Sequence, residues 1–256
     1  MSLITYKWLT ATIVAITTLL AGFASLHFIR RYQRILEVGD ALADGIFLGA
    51  AIFHLFPNAL RSLIPHFGVL MAYVAALVLV GCGFLLLYFL ECFLIQREKD
   101  TASSIHASAW MLASMLAVHA FIAGAALGIS NNVADVSIIL IAILAHKGFE
   151  SFALAVGLHR SWRDSFKTKI ILFCFAFVTP LGIVLASLVE SFFYAQTADL
   201  ITSFFSSFAA GTFLYIGTLH VGHDHFHAQM DARSRYSKVL ATIFGIVIMG
   251  VIAIWV

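Results

Sequence analysis

Apolar runs of about twenty residues, broken by short polar connections, make up most of this chain. A membrane-spanning helix needs about 20 predominantly apolar residues. On that measure the pattern predicts eight spans, at about 8–29, 41–57, 67–95, 108–129, 136–158, 169–193, 200–221 and 238–256. The expected fold is all-α, a polytopic membrane protein forming one transmembrane domain over residues 1–256. No soluble domain, long linker or low-complexity stretch breaks the pattern.

Composition makes hydrocarbon the right surroundings, since 62% hydrophobic and 11% charged residues lie far from the averages of a soluble domain. The basic residues then orient the spans. With the N-terminus outside, the cytoplasmic connections hold Arg30, Arg31, Arg34, Arg97, Lys99, Arg160, Arg163, Lys167, Lys169, Arg233, Arg235 and Lys238, twelve of the fifteen Lys and Arg. Lys7 and Arg61 fall outside and Lys147 within a span, a positive-inside bias that places both termini externally. The net charge of +2 is explained by these loops and does not argue for nucleic acid. The first run reads as a retained span rather than a cleaved signal. Cys82, Cys92 and Cys174 all fall in spans without a CxxC pair, so neither a disulfide framework nor a thiolate metal site is indicated.

Against this background His146 and Glu150 stand out, four residues apart inside an apolar run. A charged side chain at the bilayer centre costs roughly 2.5–3.5 kcal/mol on insertion scales, so it lines a cavity, finds a partner or binds an ion. Positions i and i+4 share a helix face, and both side chains can reach one point. In the preceding run His119 lies at matching depth, and the short connection near Ser130-Asn131-Asn132 makes the two helices antiparallel neighbours. Two imidazoles and a carboxylate suit Zn²⁺, with Fe²⁺, Mn²⁺, Co²⁺ or Cd²⁺ less decidable. Two neutral histidines bonded to backbone, with Glu150 paired to Lys147, are the alternative. Lys147 sits about 100° around the helix from His146 and serves packing or charge balance rather than ligation.

Segment two reads Gly45-Ile-Phe-Leu-Gly-Ala-Ala-Ile-Phe-His54-Leu and segment seven Gly211-Thr-Phe-Leu-Tyr-Ile-Gly-Thr-Leu-His220-Val, with Gly, Phe, Leu and His at the same four offsets. The two segments run in opposite directions, so the match is either chance in low-diversity sequence or an inverted repeat of the kind found in secondary transporters. A repeat implies a 3+2+3 arrangement: helices one to three within 1–95, a central pair within 108–158 and helices six to eight within 169–256. His54 then lies toward the outer face and His220 toward the inner one.

Several motifs together resemble the Zrt/Irt-like (ZIP) divalent metal transporters. They are His119-Ala120-Phe121-Ile122-Ala123-Gly124, His146-Lys147-Gly148-Phe149-Glu150, Thr179-Pro180-Leu181-Gly182, Gly211-Thr212-Phe213-Leu214-Tyr215 and His54-Leu55-Phe56-Pro57. The resemblance implies a transporter rather than an enzyme, carrying Zn²⁺ (or Fe²⁺, Mn²⁺, Cd²⁺) toward the cytoplasm. It also implies that helices one, four, five and six slide against two, three, seven and eight. Ala123 stands where the family usually has a ligating glutamate and Ala120 where Asn or Ser is usual, so the expected site, His119, His146 and Glu150, holds one metal. His220 replaces a usual glutamate, which favours Zn²⁺ over harder cations.

The expected pathway adds His54 outside and Asp44, His220, His223, Asp224, His225 and His227 inside. Residues 223–227 read as a loop that either accepts the departing ion or is merely hydrated, and Asp44 as either a cation attractor or a helix cap. Expected partners are the metal ion and the lipid bilayer, with a homodimer allowed for and nucleic acid excluded. The plasma membrane or a bacterial inner membrane is the expected location. Two rival functions are a zinc-dependent membrane hydrolase of the seven-helix type, for which His223 and His227 offer an HxxxH spacing, and a non-transporting metal sensor.

Overall fold

Where no water reaches the backbone, an apolar segment must bond its N–H and C=O groups internally, and each apolar run here folds as helix. The computed structural model describes residues 2–29, 33–95, 101–162, 165–190, 195–226 and 232–254. In order the elements are α1 (Leu3–Ile29), α2 (Gln33–Gly49), a π-helical turn (Ala50–Leu55), α3 (Phe56–Ile95), α4 (Thr101–Ile129), α5 (Val133–Trp162), α6 (Ser165–Ala176), α7 (Val178–Glu190), α8 (Ala195–Phe226) and α9 (Ala232–Ile252). Among the described residues there is no strand.

Seven stretches among the described residues are long and apolar enough to cross a membrane, where the sequence leads one to expect eight. The difference lies in Leu36–Phe93, a run of 58 residues that combines segments two and three. At 1.5 Å per residue its contour is about 87 Å, far beyond a hydrocarbon core of about 30 Å. Gly68 interrupts it with φ 72 and ψ 166, a conformation open essentially to glycine alone, three residues after Pro65.

Three further differences have local causes. The sixth segment is divided at Phe177, because Pro180 in the first turn of α7 lacks the N–H that would continue α6. Lys7 is not a loop residue but lies within α1, 2% exposed, where its Nζ donates to Gly128 O at 2.7 Å. A cation there meets the C-terminal end of α4, where the last carbonyls lack partners within the helix and Gly128 O also accepts from Ser187 Oγ at 3.2 Å. The stretch expected as a loop from His223 is helical through Phe226, continuing α8.

Glycine seams bring pairs of helices together. A Cβ on Gly45 of α2 would stand 2.1 Å from Thr242 O of α9, and one on Gly245 of α9 would stand 2.4 Å from Leu42 O. The α8–α3 pair repeats this: Gly211 would meet Val80 O at 2.0 Å and Gly83 would meet Phe208 O at 2.1 Å. On α4 and α7, Gly124 faces Thr179 O and Gly182 faces Phe121 O in the same reciprocal manner. The outer faces of α3 and α9 stay apolar and exposed, with Leu70, Leu77 and Phe89 on one and Leu240, Phe244 and Val251 on the other.

Candidate metal centre

His119 of α4 and His146 and Glu150 of α5 meet in the middle of the bundle, at most 1% exposed. The Asn132 side chain holds the start of α5, accepting from Asp135 N at 2.8 Å and donating to the Asp135 carboxylate, a reciprocal N-cap directly after the α4–α5 turn. This short connection sets the two helices antiparallel. One ligand atom from each of the three side chains lies within 4.8 Å of the other two. Glu150 Oε1 is 3.4 Å from His146 Nε2 and 3.7 Å from His119 Nε2. Ligands on a tetrahedral Zn²⁺ with bonds of ~2.0–2.1 Å stand about 3.4 Å apart, so small side-chain adjustments close the group on one ion. Both Nε2 atoms are without a hydrogen bond, an arrangement that leaves them available as ligands.

The opposite nitrogen of His119 is fixed: Nδ1 lies 2.8 Å from Thr212 Oγ1, whose own proton goes to Ala209 O at 2.7 Å. With the hydroxyl proton spent on that carbonyl, Thr212 accepts from Nδ1–H, and Nε2 is left as the lone-pair nitrogen that a metal requires. The rings are also stacked. Phe213 lies nearly parallel to His119 at 3.5 Å between centroids, stands roughly perpendicular to His146 at 4.8 Å, and stacks on Phe47 at 5.0 Å. Phe47 and Phe213 are the matched phenylalanines of the two similar sequence windows.

Lys147, assigned from helix geometry to packing or charge balance, reaches Glu150. Its Nζ is 2.6 Å from Glu150 Oε2 and donates to Thr179 Oγ1 at 2.9 Å. Lys147 is the partner that the alternative reading of the sequence gives Glu150, at i,i+3 spacing.

A cavity of about 280 Å³ leads to the site. His119 and His146 are at its inner end, with Ala123 in the wall, while Arg61, Asp135 and Asp199 line it near the ends of their helices. This is ample for water, one molecule of which needs only ~10–15 Å³. His54 lines the cavity as well, 4% exposed and 3.3 Å from Asn58 Nδ2. The π-helical turn that carries it widens the helix by one residue per turn, a form common at functional positions. Asp135 and Asp199 were not singled out from sequence, because nothing in their own neighbourhoods shows that α5 and α8 bring them to one cavity.

The inner-pathway residues are placed less closely. Asp44 is buried in the fourth turn of α2, which starts at Gln33, and so is not that helix's N-cap. His220, His223, Asp224 and His225 lie on the last turns of α8, their side chains outside the described residues, as is all of His227.

Apolar outer faces around a buried His/His/carboxylate group at the end of a cavity lined by both polar and apolar side chains define an integral membrane protein with a candidate site for a divalent transition metal. The family model described as ZIP Zinc transporter matches residues 95–253, over half of the sequence, and the chain belongs to that family. It is similar to Zinc transporter 11 of Arabidopsis thaliana at 27% identity, covering 99% of this chain and 86% of that protein. Zinc transporter ZIP2 of Mus musculus is 23% identical over 88% of this chain and 87% of its own length. Zinc transporter ZIP1 of Takifugu rubripes reaches 32% identity, over 56% of this chain and 46% of that protein.

Proposed function

We propose that this protein carries a divalent transition metal cation, Zn²⁺ first, across the membrane toward the cytoplasm, with His119, His146 and Glu150 holding a single ion in transit. The observation that carries this reading is the convergence of three buried ligand atoms, two of them imidazole nitrogens without hydrogen bonds, at the inner end of a cavity. A hydrated cation enters past Asp135, Asp199 and His54, exchanges water for the three ligands, and leaves past Asp44, His220 and the His223 to His227 tract. Two imidazoles and one carboxylate leave a fourth position for water, which suits an ion that must be released. With Ala123 in the cavity wall, that side supplies no carboxylate to bridge a second metal.

The interruption at Gly68 supports dividing the 58-residue run into two spans, giving eight spans in one domain with both termini external. The reciprocal contacts of Gly45 with Thr242 and Gly211 with Val80 support the 3+2+3 inverted repeat, for they pair α2 with α9 as they pair α8 with α3. Helices α1, α4, α5, α6 and α7 then form the moving unit and α2, α3, α8 and α9 the scaffold. The plasma membrane or a bacterial inner membrane is the proposed location.

The test is flux of Zn²⁺, Mn²⁺, Fe²⁺ and Cd²⁺ into proteoliposomes by wild type, His146→Ala and Glu150→Ala. Wild-type Zn²⁺ flux with both variants at the level of empty liposomes, while retaining a monodisperse elution profile, is expected. Wild-type flux equal to that of empty liposomes, with metal binding intact, would turn the function to a sensor.

A further inference from the structure

Glu150 turns its two oxygens to different partners. Oε1 faces His146 Nε2 at 3.4 Å and His119 Nε2 at 3.7 Å, the side on which an ion would sit. Oε2 is 2.6 Å from Lys147 Nζ, with both residues 1% exposed. The amine is anchored from two further directions, by a hydrogen bond to Thr179 Oγ1 at 2.9 Å and by the ring of Phe175, whose centroid is 4.7 Å away. Neither member of such a pair is readily released, because each would become an unpaired buried charge.

We propose that Lys147 is a specificity-determining residue: by retaining Oε2 it limits Glu150 to one-oxygen ligation through Oε1, and so selects a small four-coordinate cation over larger ones. This rests on the reading that His119, His146 and Glu150 hold the cargo. Two imidazole nitrogens, one carboxylate oxygen and one water complete the tetrahedron that Zn²⁺ accepts. Mn²⁺ favours six ligands rich in oxygen, and a carboxylate that could supply both oxygens would help to meet that demand. With Oε2 held by the amine, a six-coordinate ion would need three waters beside His119, His146 and Oε1. The stacked ring of Phe213 and the side chains of Ala123, Ala142 and Ile143 around the site offer those waters little hydrogen bonding. Lys147 thus acts as a cation fixed to the protein, sharing the carboxylate with the travelling ion without competing for the same oxygen.

The position of Lys147 does not touch the ion, so its role is one of positioning and is tested by coordination as well as flux. Purified wild type, Lys147→Gln, Lys147→Arg and Thr179→Val are loaded with Co²⁺ and their visible spectra recorded. Uptake of Mn²⁺ against Zn²⁺ is then compared in proteoliposomes. Wild type is expected to give the intense bands of tetrahedral cobalt. Lys147→Gln should give the weak bands of five- or six-coordinate cobalt and raise the Mn²⁺-to-Zn²⁺ uptake ratio about tenfold, the lower end of effects from residues behind a ligand. Lys147→Arg keeps the cation and should stay near wild type. Thr179→Val removes only an anchor, should move both readouts less in the same direction, and decides the matter where Lys147→Gln does not fold. Unchanged bands and ratio in the folded variants would overturn the proposal. A wild-type cobalt spectrum indifferent to His146→Ala would instead remove the ligand assignment on which it rests.

Discussion

Two kinds of helix contact meet at the centre of this bundle, and they are built from different chemistry. Within α2, α3, α8 and α9, and within α4 and α7, contacts run through glycine against backbone carbonyl, close enough that an added Cβ would stand 2.0–2.4 Å from oxygen at Gly45, Gly83, Gly124, Gly128, Gly182, Gly211 and Gly245. Between the two sets, at the candidate metal centre, α4 and α5 meet α8 through flat rings and one side-chain hydrogen bond, His119 to Thr212. Among the described glycines, Gly39 of α2 faces α5 across that divide, and it meets the ring of Phe152, not a carbonyl. Backbone-to-backbone seams leave no freedom to slide without separating the helices, because their surfaces interlock at van der Waals distance. Stacked rings keep much of their contact when displaced in their own plane. The difference teaches where relative movement can be accommodated, and it coincides with the division between scaffold and moving unit proposed for transport.

The largest expected effect lies in the interlocked seams. Gly211→Val places a branched side chain where even a Cβ would be 2.0 Å from Val80 O, so α8 and α3 must part. Overpacking costs 1–3 kcal/mol or more, and the expected result is loss of monodisperse protein on size-exclusion chromatography after detergent extraction. A folded Gly211→Val variant with wild-type thermal stability would break the comparison.

At the ring contact a substitution should spare the fold and affect the ion. Thr212→Val removes the acceptor that orients His119, and metal affinity measured by equilibrium dialysis should fall by about 10–100-fold, the usual range for residues behind a metal-binding histidine. An unchanged affinity would mean that the stack on Phe213 alone fixes the ring. The smallest effect is that of acid. Protons compete with metal for imidazole and carboxylate, so Zn²⁺ flux should decline over an interval of acidification of the external solution from neutral pH. Flux that rises over that interval would point to a proton-driven step outweighing the competition.

Much of the centre was legible along the chain because helical periodicity is a local property. His146 and Glu150 share a face at any i,i+4 spacing, and the short turn at Ser130–Asn132 forces α4 and α5 side by side, bringing in His119. Thr212 and Thr179 could not be found that way. Each sits in a recognisable motif, but its partner is 93 residues away for Thr212 and 32 for Thr179, on another helix. The division near Gly68 was legible too, since Asn58, Arg61, Pro65 and His66 separate the second and third apolar segments, but the positive φ at Gly68 that makes the break was not.

By itself the sequence determined that this is a helical membrane protein with a histidine- and carboxylate-bearing centre, since hydrocarbon dictates helix and makes each buried polar group conspicuous. Tertiary structure decided which oxygen of Glu150 is free. The pairing of Oε2 with Lys147, and the orientation of Oε1 toward both histidines, depend on where α7 puts Thr179 and Phe175's helix puts its ring. It also decided that Phe213 would lie against His119, because the approach of α8 is set by the Gly211 seam with α3. Spacing along one helix fixes which side chains share a face, whereas distances between helices are fixed only once their surfaces have packed.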